Sequence, residues 1–338
     1  MKLYGPRVVL AYKNFAANKN ISHVGLGVAA LNTAKTLRAH RFQADVLPVT
    51  SAADLRAQLS DSITHVVVSA PWIPTAEWQR LIADFPDIRF AVNCHSNVGF
   101  LQADTNGMRL VREAMEIERG SLNFHLGGNS LKFCRWVRQA FDARCTYLPN
   151  LYHLDGGIPN RTSIYNGGTL RIGAFGATRQ LKNFMSATAA SLQIATCLRT
   201  ELELWVSSGR NEGGSGVLDG VRAMLNGIPN VKLVEAGWKS WPSFRTTVRH
   251  MDLLMQPSYT ESFNMVTADG IAEGVPSVVS DAIDWAPHRW KASGDDVGEI
   301  ARVGRGLLTD RFSAEDGFMA LANHNSDGLK SWSSFLQD

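Results

Sequence analysis

Two acidic side chains, Glu261 and Asp269, stand eight residues apart in the stretch Glu261-Ser-Phe-Asn-Met-Val-Thr-Ala-Asp269. An ionised carboxylate only accepts hydrogen bonds, so a pair of them suits a ligand rich in hydroxyl donors. A helix is expected to begin near Phe263 or Asn264, with Glu261 before it and Asp269 inside it. The amides of Phe263, Asn264 and Met265 then fall in a first turn, where backbone N–H groups lack intrahelical partners and the helix dipole favours an anion. Hydroxyl acceptors beside an anion site describe a phosphorylated, polyhydroxylated ligand. A capping glutamate in an ordinary strand–helix–strand unit is the plain alternative, and the residues alone leave both open.

Arg179 and Lys182, three residues apart, form a second group. They fall in a loop between a strand end and a helix start, where the two cations could share a diphosphate, the arginine in a bidentate manner. Solvated loop cations would look the same in sequence. Gly25-Leu-Gly27 opens a helix after a strand and a polar loop, an arrangement that lets backbone amides approach a phosphate closely. The full G-x-G-x-x-G pattern is absent, because Ala30 holds its third place, and a tight turn explains the glycines equally well. His95 is expected at a strand's carboxyl end, where a lone histidine is more often structural than functional, and His125, in the Asn123–Gly128 strand, is a second candidate.

These residues need elements to hold them. Asp252–Met255 and Ser277–Val279 read as short buried strands around the two carboxylates. The helix between them is stopped by Gly274 and by Pro276 after it. The first half shows strands over Arg7–Tyr12, Gln43–Val49, His65–Ser69, Arg89–Cys94, Asn123–Gly128 and Thr146–Asn150. Helical patterns intervene over Ser51–Leu59, Thr75–Phe85, Thr105–Arg119 and Asn129–Phe141. The second half restarts the alternation with Leu170–Phe175, Phe184–Thr196, Glu203–Ser208, Val231–Ala236 and a short helix over Ser243–His250. Such alternation predicts parallel, doubly wound sheets, in which ligands bind beyond the carboxyl ends of strands. That rule places Ser207–Gly209 at the crevice; Trp238, in the turn after Val231–Ala236, could stack on a base or simply pack near a sheet edge. The breaker-rich run from Pro149 to Ser163 reads as a linker, and the residues from Ser313 to Gln337 as amphipathic helices.

The stretch from Glu261 to Asp281, with Gly274-Val-Pro276 inside it, resembles the E-x7-E motif and Gly-x-Pro extension of retaining nucleotide-sugar glycosyltransferases of family 4, which have the GT-B fold. It departs in one place, having Asp269 where the family usually has Glu. Gly-x-x-x-Arg179-x-x-Lys182-Asn183 resembles the Arg and Lys that bind the donor pyrophosphate in that family. The resemblance is clear from Gly173 to about Asp281 and diffuse before Pro149. It implies that Arg179 and Lys182 neutralise the leaving diphosphate and that Glu261, with the amides of Phe263, Asn264 and Met265, holds donor sugar and phosphate. It further implies that Asp269 binds the ribose, Trp238 lies by the base, Gly25 and Gly27 lie under the donor phosphates, and His95 lies close to the donor sugar. Retention of configuration and no required metal or cofactor follow from the same likeness. After Asp281, Trp285-Ala-Pro-His288 stands where the family has a Pro-Glu turn, a change without evident consequence in the sequence.

With 338 residues, 45% hydrophobic and 19% charged, the chain suits two domains of roughly 150 residues with ample cores. No run approaches the roughly 18 apolar residues of a membrane span, and the N-terminus lacks a secretory pattern. Cys94, Cys134, Cys145 and Cys197 show no C-x-x-C spacing and read as reduced core thiols of a cytoplasmic protein. Residues 1–150 carry 17 Lys and Arg against 11 Asp and Glu, while the rest carries 17 against 20. A basic first half suits an anionic partner, and ordinary solvated surface fits the same numbers.

The expectation is therefore an α/β protein of GT-B type with two Rossmann-like domains facing a cleft: an acceptor-side domain over 1–150, a donor domain over 151–312, and a helical tail, 313–338, crossing back to the first. The expected activity is retaining transfer of a sugar, glucose from UDP-glucose as first choice, to an acceptor hydroxyl. DNA bearing hydroxymethylated bases, a lipid-linked sugar at an anionic membrane and ordinary small-molecule or polysaccharide acceptors all stay open, and no obligate protein partner is evident. A sugar-nucleotide epimerase, or a non-catalytic nucleotide-binding module, would share the same fold.

Overall fold

Every residue of His65-Val-Val-Val-Ser69 is buried. Branched apolar side chains on both faces suit a strand covered on both sides, as in a parallel sheet wrapped by helices. The computed structural model describes residues 5–14, 23–159, 165–209 and 216–337, and in them such runs form two sheets with every strand pair parallel. The chain divides into two units, Met1–His153 with His324–Asp338, and Leu154–Asn323.

Unit 1 runs β1 (Arg7–Lys13), α1 (His23–Ala39), β2 (Gln43–Val49), α2 (Ala52–Gln58), β3 (His65–Ser69), α3 (Thr75–Asp84), β4 (Arg89–Cys94), α4 (Val98–Leu101), α5 (Thr105–Gly120), β5 (Phe124–Gly128), α6 (Leu131–Phe141) and β6 (Thr146–Tyr147). Its strand order is β2-β1-β3-β4-β5-β6. Alternate residues divide between the two faces. Val66, Val68, Phe90 and Val92 meet Trp78, Val111 and Phe133 from α3, α5 and α6. Val8, Leu10, Val67 and Ala91 meet Ala30, Ala34 and Leu37 of α1.

Unit 2 runs β7 (Leu170–Ala174), a 3-10 turn over Gln180–Lys182, α7 (Phe184–Leu198), β8 (Leu202–Ser207), α8 (Gly216–Leu225), β9 (Val231–Ala236), α9 (Trp241–Arg249), β10 (Leu253–Gln256), α10 (Met265–Ala272), β11 (Ser277–Val279) and α11 (Val297–Thr309). The order is β11-β10-β7-β8-β9. The last helix, α12 (Ser313–Gln337), begins in unit 2 and ends in unit 1. There Trp332, Phe335 and Leu336 join the α1 face of the sheet.

Three differences from the sequence reading have physical causes. The run after Pro149 does not begin as a linker. Trp332 Nε1 donates to Pro149 O at 2.9 Å, Asn325 takes both the N–H and the C=O of Tyr152, and Thr33 Oγ1 accepts from Leu151 N–H at 3.1 Å. A segment so paired is as fixed as a strand. The rest of the expected linker lies partly at 160–164, outside the described residues, as do parts of the loops expected after Lys13 and Gly209. Short or weakly patterned helices (α4, α8 and α11) had no sequence expectation. Cys94 and Cys134 are buried, but Cys145 is only partly so and Cys197 is exposed, so Cys197 is not a core thiol. Among the described residues no helix is long and apolar enough to cross a membrane, and no group of three or more His, Cys, Asp and Glu could hold a metal.

Candidate functional site

In unit 2 the loops that follow β7 and β10 meet at one buried pair. Lys182 Nζ stands 2.5 Å from Glu261 Oε1, with the two side chains 11% and 6% exposed. Burial pushes the Glu261 carboxyl up, but the charges of Lys182 and then Arg179, with the Lys182 hydrogen bond, outweigh it and hold the group below its ordinary value. Glu261 is thus an anion paired with Lys182 and stabilised further by the charge of Arg179, both from the loop after β7. Gly176, at φ +120°, turns the chain beside Lys182, where a Cβ would make only an ordinary contact with Lys182 Cε at 3.4 Å. The φ lies in the region that favours glycine.

The helix after Glu261 starts later than the spacing predicts. α10 begins at Met265, so of the three residues expected in its first turn only Met265 lies in it. Asn264 is the N-cap, left-handed at φ 72°, and its side chain accepts from Thr267 N–H at 2.9 Å. Its amide nitrogen donates to Glu261 Oε1 and to Gln256 Oε1, each at 3.0 Å. Gln256 in turn donates to Phe175 O at 3.1 Å. A continuous polar chain therefore links the end of β7 to the carboxylate. Gln256, only 2% exposed, was missed because a lone Gln at the end of a strand carries no sequence signal.

Phe263 precedes the helix and is buried. Its ring stacks on Trp285 at 5.1 Å, and Trp285 Nε1 donates to Phe263 O at 2.7 Å. The residues that depart from the family's Pro-Glu turn thus have a consequence after all, since they clamp the loop that carries Glu261. Asp269 sits on α10 and is 2% exposed. It accepts from Trp241 Nε1 on α9 at 2.8 Å. Trp241 was not anticipated, and its signal was masked by the more conspicuous Trp238. Arg245 and Arg249 of α9 both reach Glu273 at 2.6 Å, pinning α9 to α10.

Ser207, ending β8, accepts the Gly176 N–H at 3.1 Å, so its hydroxyl shapes the Gly176 loop. Trp238 is half-buried, with its backbone close to Gly209. Lys182, Arg179, Glu261, Phe263, Asn264, Met265, Asp269, Ser207 and Trp238 all belong to unit 2. Gly25, Gly27 and His95 belong to unit 1.

In unit 1, His95 directly follows β4. Asn129 Nδ2 lies 3.3 Å from its Nδ1; with that amide nitrogen as the donor, the imidazole proton is assigned to Nε2. That Nε2 is buried and has no hydrogen-bond partner among the described residues. Burial pushes the ring's pKa down to about 4, so His95 is neutral at physiological pH. Gly25 and Gly27 fall inside the first turns of α1, and a Cβ on Gly27 would stand 2.9 Å from Tyr12 Cζ. Packing against Tyr12 is therefore one reason for that glycine. His125 is not at a strand's carboxyl end. It lies three residues before Gly128, about 10 Å down the strand, and its ring meets Phe335 edge-on at 5.5 Å.

No family model matches the chain, and no curated protein matches it in sequence. Solved structures do match in fold. Sucrose-phosphate synthase of Thermosynechococcus elongatus superposes with a TM-score of 0.66 at 13% identity, covering 98% of each chain. HepE of Anabaena, solved in complex with UDP-glucose, gives 0.61 at 14% identity over 96% of this chain and 99% of that one. A mutant of TarM from S. aureus, in complex with fondaparinux, alpha-GlcNAc-glycerol and UDP, gives 0.59 at 12% identity over 85% of this chain. The chain spans 58% of that TarM chain's length. Two parallel, doubly wound α/β units and these likenesses together show one thing plainly: the chain has the GT-B fold.

Proposed function

We propose that the protein is a retaining glycosyltransferase that moves a sugar from a UDP-sugar, glucose as first choice, to an acceptor hydroxyl. The observation that carries the reading is the buried Glu261 paired with Lys182 and under the charge of Arg179, on a fold shared with a protein solved with UDP-glucose. Lys182 has three N–H donors and Glu261 takes one. The others, with the Arg179 guanidinium, would face the diphosphate and stabilise the charge that builds on it as the glycosidic bond breaks. Glu261 fixes the Lys182 ammonium and offers its own acceptors to sugar hydroxyls, while the Met265 turn supplies N–H groups to phosphate.

Asp269, with Trp241 beside it, would take the ribose hydroxyls, and Trp238 and the Gly209 turn the base. His95 would donate its Nε2–H to a hydroxyl of the donor sugar, whose anomeric carbon becomes oxocarbenium-like. The acceptor proton would pass to the leaving phosphate oxygen. No metal or cofactor enters this scheme. The thiols play no part in it.

The test is nucleotide release from UDP-, GDP- and ADP-sugars, measured with and without plain and hydroxymethylated DNA. Release from a UDP-sugar is the expected result; acceleration by modified DNA would make DNA the acceptor, and release indifferent to DNA would turn the search to lipid-linked and small-sugar acceptors. Conversion of the donor without any acceptor would indicate an epimerase instead, and binding without turnover a nucleotide-binding module.

A further inference from the structure

Away from these residues, unit 1 carries a pocket of about 420 Å³ between the end of α12 and the β5–β6 edge of its sheet. Arg89, His125 and Lys330 line it, and Thr146 and Tyr147 of β6 add two hydroxyls. Ser331 and Ser334 add two more from α12. Lys330 and Ser334 are one helical turn apart and so share a face. Among the described residues no carboxylate lines the pocket. Phe335 adds an apolar part to the wall, but its two cations only donate and its hydroxyl and imidazole groups can donate, and an oxyanion is the ligand that donors fit.

The surroundings keep the positive character intact. Arg89 Nη1 reaches Phe335 O at 3.5 Å, so one carbonyl of the last helical turn, the negative end of α12, faces a guanidinium. The buried neighbour His65 has its pKa pushed down to about 4, first by burial and next by the charge of Arg89. Lys330 pairs with Asp327 at 2.7 Å, but both side chains are 75% exposed. Such a pair contributes little and is easily exchanged for a better anion. Of the lining residues, Arg89, His125, Thr146 and Tyr147 come from residues 1–150, which carry 17 basic against 11 acidic residues, and the others come from α12.

We infer that this pocket binds a backbone phosphate of a nucleic acid, docking a polyanionic partner on unit 1 outside the sugar-transfer residues. A lipid headgroup offers the same phosphate. A membrane surface, however, is best held by apolar side chains beside the cations, and none of the exposed large hydrophobics (Leu122, Leu131, Ile158, Met185, Tyr259, Phe312 and Met319) lines this pocket. The inference goes beyond the transfer reading and is read out without any sugar nucleotide.

The test is the full-length double variant Lys330→Glu/Ser334→Glu, whose positions are both exposed, measured by fluorescence anisotropy against a labelled DNA duplex over a salt series. The wild type is expected to bind with a steep salt dependence. The variant should bind at least about tenfold more weakly, with a log–log salt slope smaller by about one for each phosphate it no longer neutralises. Nucleotide release without DNA should stay the same. A wild type that does not bind the duplex, or a variant that binds it equally well, overturns the inference. So does a variant that loses binding only to phosphatidylglycerol vesicles, which would make the site a lipid one. Failure here leaves the donor screen untouched, and a failed donor screen leaves this binding result untouched.

Discussion

Lys182 and Glu261 make the strongest claim at the scale of single residues, because both are nearly withdrawn from water. Taking one charge away from a buried pair leaves the other uncompensated, at a cost of about 3–5 kcal/mol, whereas replacing both by neutral groups of similar size is often close to neutral. Lys182→Ala is therefore expected to lose both turnover and several kcal/mol of stability. Lys182→Met/Glu261→Gln is expected to recover most of the stability and none of the turnover. Denaturant unfolding beside nucleotide release separates the two effects, and a double variant with near-normal release would remove the pair from the mechanism. The pH dependence has a definite sign. A carboxyl held below its ordinary value stabilises the fold above that value, 4.5, and the contribution is lost as pH falls through the folded-state value. The double variant should lack this part of the acid limb.

At the scale of elements, what fixes the site is the tying together of loops. Asn183 caps α7 in a left-handed conformation, φ 56°, and its amide donates to Pro257 O at 3.0 Å and Gly294 O at 2.8 Å. Tyr259 N–H, in the loop before Glu261, donates to Leu181 O at 2.9 Å. The Arg179–Lys182 loop and the Glu261 loop are thus one hydrogen-bonded body. Asn183→Gly keeps the backbone conformation but strands two carbonyls, and is expected to cost about 1–3 kcal/mol. Asn183→Ala adds the left-handed penalty and should cost about 1 kcal/mol more. Both should raise the donor KM as Lys182 loosens. Equal stability of wild type and Asn183→Gly would show that these bonds do not hold the loops.

At the scale of the whole molecule, the last helix completes a core that the first half of the chain leaves open. Trp332, Phe335 and Leu336 are at most 3% exposed and cover Val8, Leu10, Val67 and Ala91. Ending the chain at Asn323 removes all three, and losses of about 2–5 kcal/mol per large core side chain approach the entire stability of a domain. Unit 1 should then open while unit 2 stays folded. Hydrogen exchange should show rapid exchange in β1, β3 and β4 and unchanged protection in β7, β8 and β10. Protection retained in β3 would mean that the helix is dispensable.

The sequence by itself determined the alternation of strands and helices, and through it the parallel sheets. Residues His65–Ser69 and Arg89–Cys94 lie in the strands their apolar runs predict, because a run buried on both faces is a local pattern. It also determined which cations and carboxylates are near one another along the chain. Only the tertiary structure decided which of them pair. Lys182 and Glu261 are 79 residues apart, and nothing local says that Glu261 turns to Lys182 while Asp269 turns to Trp241. Local reading also put Phe263 and Asn264 inside a helix, where the left-handed Asn264 instead points its side chain at Gln256 and Glu261. Caps, buried amide chains and a closing C-terminal helix depend on contacts between distant segments, and periodicity, which reports only a residue's immediate neighbours, carries no record of them.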